Sequence, residues 1–115
     1  MKHFALHFPK ILPVAAAAIV TLCMPHALHA DAVAGKGTFD KSCKGCHAAD
    51  GKGNPAIGKA MKVELRALGS KEVLAKPDGE LSKNITEGIG KMKPISSLPA
   101  GDVKSVIEYV RTLKN

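Results

Sequence analysis

Apolar positions recur every three or four residues in several separate stretches of this 115-residue chain, and no stretch shows the strict alternation of a half-buried strand. The clearest stripe is the last. Val103, Val106, Ile107, Val110 and Leu113 follow Leu98-Pro99, which predicts a closing helix with the proline at or near its first position. Val33 to His47 reads as a first helix, with Phe39 four residues before Cys43 on the same face. Gly35 lies a turn further back, where it permits a close helix crossing or serves only as a flexible start. Between these two helices the pattern is punctuated. Ala48 to Pro55 is a loop dense in turn residues, and Ile57 to Leu68 contains a short helix with Ile57, Met61 and Leu65 spaced by four. Gly69-Ser70 stops it, and Ser70 to Leu74 makes one turn. Pro77-Asp78-Gly79 is a turn in which Asp78 or Gly79 caps a helix to about Glu87, with Leu81 and Ile85 on its buried side. Gly88 to Pro94 is a loop, because neither its glycines nor Pro94 suit a continuing helix. No internal repeat or linker appears, so the expected fold class is all-α with one domain.

The first thirty residues stand apart from that domain. Lys2 and Lys10 are their only Lys, Arg, Asp or Glu side chains, and Ile11 to Cys23 is an apolar run interrupted only by Pro13 and Thr21. This is the layout of a secretory signal peptide, and the run is short for a membrane span. Residues 1–30 are therefore expected to be removed, leaving 31–115 as the mature domain in the periplasm without stable membrane insertion. Cleavage is placed after Ala30, with Ala32 and Ala34 as alternatives that match A-x-A better, and an uncleaved amino-terminal anchor as the rival. A lipid-bearing Cys23 is disfavoured by the bulky Leu22 before it.

Taking the leader away changes the chemistry on offer. His47 becomes the one remaining histidine, Cys43 and Cys46 the only thiols, Phe39 and Tyr109 the only aromatics, and Met61 and Met92 the only methionines. A single histidine excludes bis-histidine ligation and multi-histidine metal sites. Fifteen Lys and Arg stand against ten acids, a charge of +5. The basic residues are spread, with no basic run or stacking aromatics, so nucleic acid is not the expected partner.

The stretch Cys43-Lys44-Gly45-Cys46-His47 has the C-x-x-C-H spacing of covalent attachment of a c-type haem. Each thiol can add across one vinyl group, and the turn through both cysteines presents His47 to the iron. The competing uses of C-x-x-C fit less well. Thiol redox chemistry wants an apolar strand before the pair, and Gly35 to Ser42 is none; zinc wants further Cys or His ligands. A domain of 85 residues with two aromatics also needs a staple, and a covalently held porphyrin supplies one together with apolar volume. Met92 is the expected distal ligand. Its thioether is soft, it lies in a loop between two helices, and it is 45 residues beyond His47, enough chain to reach the opposite ring face. Met61, 14 residues beyond His47 on an amphipathic face, reads as core.

With these residues in view the chain resembles the class I cytochromes c over essentially all of 31–115. The resemblance rests on Gly35 and Phe39, on the Cys43–His47 motif, on Gly90-Lys91-Met92, and on Val106 and Tyr109 of the closing helix. It implies an all-α fold in which the first and last helices cross beside one covalent haem c. It also implies His47 as proximal ligand, a loop methionine as distal ligand, and a proline, matched by Pro55, whose carbonyl accepts from the ligand imidazole. Many members have proline directly after the methionine; here Lys93 stands between Met92 and Pro94.

Two filled axial positions leave no open site on iron, so the expected function is electron transfer and not enzyme catalysis. The expectation is a small monomeric periplasmic carrier that exchanges single electrons with redox proteins through an exposed haem edge. Lys44, Lys91 and Lys93 flank the motif and ligand loop, which points to partners with acidic docking surfaces. The alternative is a haem subunit of a periplasmic dehydrogenase or oxidase complex. A peroxidase or a ligand-binding sensor would need an open sixth position.

Overall fold

The computed structural model describes residues 26–114, with side-chain surroundings from residue 31 onward; the expected leader falls largely outside them. Among the described residues six helices follow one another: α1 His26–Ser42, α2 Lys44–His47, α3 Pro55–Met61, α4 Lys71–Leu74, α5 Asp78–Glu87 and α6 Ala100–Thr112. No described helix is long and apolar enough to cross a membrane.

The fold is built on α1 against α6, with α5 packed on α6 as a smaller second contact. The stripe read in the last helix is the buried face of α6: Val103, Val106, Ile107 and Val110 join Phe39, Cys43, Val73 and Leu81 in one cluster. Phe39 is fully buried, and its ring stacks obliquely on Tyr109 at 5.1 Å between centroids. The helices approach closely because Gly35 has no side chain to keep the Ser105 carbonyl away.

Two local expectations are corrected. The first helix does not run unbroken to His47. Cys43 leaves helical geometry (φ −121°, ψ −36°) and α2 begins after it, although the Cys43 amide still donates to the Phe39 carbonyl at 2.9 Å. The second correction concerns α5. Pro77 occupies the cap position with no side-chain cap bond, and Asp78 is already helical. The Asp78 carboxylate instead meets Arg111 of α6, whose guanidinium also donates to the Leu74 carbonyl at 2.9 Å and the Lys76 carbonyl at 2.8 Å. One planar fork thereby ties the 74–78 turn to the last helix.

The loop from Gly88 to Pro94 is more ordered than its composition suggests. Ile89 and Met92 exchange both backbone hydrogen bonds, at 2.9 and 3.1 Å, around the turn Gly90-Lys91. Gly90 has φ 57°, the left-handed region that glycine enters without strain. A further bond from the Ile95 amide to the Ile85 carbonyl, 2.8 Å, fastens the loop to α5.

Candidate functional site

Two adjoining cavities open between the α1–α2 junction and the 89–95 loop. The larger, about 500 Å³, is walled by Phe39, Val73, Leu81, Val106, Ile107 and Val110 among others. The smaller, about 330 Å³, reaches Cys46, Met61 and Ile95. Cys43, His47 and Met92 line both. The kink at Cys43 thus brings the motif and the expected distal methionine, far apart in sequence, to one cleft.

Cys43 is 8 % exposed and Cys46 is exposed, and the two thiols are unbridged. Burial raises the Cys43 pKa above the ordinary thiol value, with the Cys46 charge adding to it. Burial also lowers the His47 pKa, which favours the neutral imidazole, the form that can ligate a metal. His47 Nδ1 is buried and without a hydrogen-bond partner. The bond expected from it to the Pro55 carbonyl is therefore not formed. Pro55 is the first residue of α3 and exposed, and at that position the carbonyl points along the helix axis.

Asn54, which the sequence reading passed over, holds the motif in place. Its backbone amide donates to the Cys46 carbonyl at 2.8 Å and its Nδ2 to the Gly45 carbonyl at 3.2 Å. Its Oδ1 accepts from the Ala56 amide at 3.0 Å and so caps α3. The neighbouring Gly53 amide donates to the His47 carbonyl at 2.8 Å. The signal was present in Asn54-Pro55, a capping residue before a proline suited to the first helical position. Asn54→Ala is expected to cost about 1–2 kcal/mol in chemical denaturation, the sum of a cap and a tether. Asn54→Asp keeps the cap oxygen and should recover about half.

Met61 is also placed differently from its sequence reading. It is half-buried on the wall of the smaller cavity and outside the buried cluster. Lys91 lines both cavities, Lys93 lines the smaller, and Lys44 is exposed but lines neither.

The residues present fit a haem. A flat apolar ring needs an apolar slot, two thiols in reach of one edge, and a neutral imidazole with a soft thioether along the same cleft. The walls, Cys43 with Cys46, and His47 with Met92 supply these. The adjoining volumes fall in the range of cofactor sites. When bound, haem supplies a one-electron ferric–ferrous couple.

Comparison with known proteins points to the same class of cofactor. No curated protein matches the chain. Among solved structures, the KustC0563 c-type cytochrome is similar, with a TM-score of 0.59 and 25 % identity over 70 % of this chain and 98 % of that one. Residues 30–110 match the family model described as cytochrome c oxidase, cbb3-type, subunit III. That match takes in α2, α3, α4 and α5 whole, most of α1 and α6, and the cleft between them, so this chain belongs to that family of c-type cytochromes.

Proposed function

We propose that the chain is a monohaem electron carrier. In this reading Cys43 and Cys46 hold the haem through thioether bonds, and His47 and Met92 occupy the two axial positions. The observation that carries it is the convergence of Cys43, His47 and Met92 on one cleft. Bonding at both ends of the Ile89–Met92 turn would keep the thioether in place in either oxidation state, so little rearrangement accompanies electron transfer. The exposed Cys46 marks the edge through which electrons enter and leave. The protein acts in the periplasm after removal of its leader and carries out no catalysis of its own.

Met92→Ala tests the ligand set. The ferrous wild-type protein should exclude carbon monoxide, and the ferrous variant should bind it within the mixing time. A variant that excludes carbon monoxide like the wild type removes Met92 from the iron.

Partners are redox proteins with acidic docking surfaces, because exposed Lys91 and Lys93 border the mouth of the cleft. Electron-transfer rate constants with such a partner are expected to fall about tenfold or more between low and physiological ionic strength, as screening shortens to a Debye length of about 8 Å. A rate flat in salt removes the lysines from docking.

A second reading is favoured by the family description, which concerns an oxidase subunit. In it the chain is the haem subunit of a larger complex. Native purification separates the two readings: a free carrier elutes as a monomer of its own mass, and a subunit co-elutes with its complex.

A further inference from the structure

Lys91 and Lys93 serve the side of the cleft nearest the ligand loop, and a separate polar group stands in the larger cavity. Arg66, Lys76, Asn84 and Glu64 line the larger cavity only, whereas Cys46 lines only the smaller. Haem is similarly two-ended: its vinyl groups lie on one side of the ring and its two carboxylates on the other. Thioether bonds at Cys43 and Cys46 would therefore send the carboxylates away from Cys46, into the larger cavity.

Resting on the haem reading above, we propose that Arg66 and Lys76 form the site for the two haem carboxylates, with Asn84 as a neutral donor lining the same cavity. Arg66 is exposed at the rim and Lys76 half-buried, so their charges are neither fully solvated nor stranded. The side chain of Asn84 makes no hydrogen bond among the described residues and has its donors free. Glu64 at the same rim opposes the carboxylates. Lys76 is paired with Glu80, and Glu72 lies within the field of Arg66. The two cations thus have standing local partners and would share their charge with the haem. Lys76 is also pre-positioned. Arg111 holds the carbonyls on either side of Ala75, those of Leu74 and Lys76, so the backbone that carries the lysine is fixed from the far helix.

The sign of the effect on the iron follows. A cation near the haem opposes the extra positive charge of the ferric state. Neutralising it leaves a carboxylate uncompensated, which favours ferric further. Both changes lower the midpoint potential.

The test is spectroelectrochemical titration of the intact haem-loaded protein at constant pH and ionic strength. Arg66→Gln and Lys76→Gln are compared with Lys59→Gln, which removes the same charge from an exposed position that lines neither cavity. Each rim variant should lower the ferrous-to-ferric ratio at fixed ambient potential by up to about tenfold, or about 59 mV for a one-electron couple. Lys59→Gln should move it far less, and Arg66→Lys should restore most of the wild-type value. Absorption spectra are taken on the same samples. A wild-type spectrum with rim midpoints no different from Lys59→Gln overturns the carboxylate assignment and leaves the haem reading standing. A wild-type chain that carries no covalent haem overturns both.

Discussion

Gly35→Ala is expected to unfold the domain or bring it close to unfolding. A Cβ built on Gly35 lies 1.8 Å from the Ser105 carbonyl oxygen and 2.3 Å from its carbon. Those atoms are backbone of α6, so no rotamer change can make room, and the two helices must separate. Ordinary overpacking costs about 1–3 kcal/mol, and this clash should exceed about 3 kcal/mol because it strikes the main contact of the fold. In a domain of this size that lowers the melting temperature by roughly 12 °C or more. Gly37→Ala is the internal control. Nothing lies within 4 Å of a Cβ there, so the same substitution on the same helix should stabilise by about 0.5–1 kcal/mol through helix propensity. Equal melting temperatures for the two variants would mean that the α1–α6 crossing does not depend on the missing side chain.

The second large effect is expected from Cys43→Ala combined with Cys46→Ala. Without thioether bonds the haem should come away under denaturing extraction, and the chain left behind should lose most of its helical circular dichroism. The larger cavity explains the size of the effect. Without haem the apolar walls of that cavity, Val73, Leu81, Val106, Ile107 and Val110 among them, would face water instead of a porphyrin. A whole domain is stable by only about 5–15 kcal/mol. The buried cluster holds eight residues, with Phe39 its one aromatic, and has no reserve to offset such a loss. A double variant that stays helical without haem would show that the walls collapse on one another and that the cofactor is dispensable for folding.

How much of this was legible in the sequence depended on how local the governing interaction is. The Cys43–His47 motif needs only one turn of chain, and spacing alone announced it. The α6 stripe likewise follows from a repeat of one helical turn, and its first residue from Leu98-Pro99. The break at Cys43 could not be read, because the residues on both sides keep helical preferences and a single non-helical residue leaves no mark on periodicity. Asp78 looked like a cap. Its partner Arg111 is thirty-three residues away, and a contact of that range carries no local sign. Met61 lay on a recognisably apolar face, but amphipathicity does not say whether a face meets side chains or a cleft. The loop around Met92 was recognised by its glycines, while its reciprocal bonding with Ile89 depends on dihedral angles that composition does not specify. Pro55 was matched by position along the chain, and as the first residue of α3 its carbonyl is directed along that helix.

The pairing of α1 with α6 also bears on the order of events during maturation. The residues that cover Phe39 and Cys43 are Val103, Val106, Ile107 and Val110, in the final helix. A chain whose last helix has not yet docked cannot close its core, however stable its early helix. Contacts between the two ends carry the full entropic cost of closing the intervening loop, which makes them late to form. Until then Cys43, buried in the finished fold, stays as reachable as Cys46. The sequence separation of the two helices would therefore leave both thiols open until a cofactor is attached, and the last helix would close on a chain that already carries it.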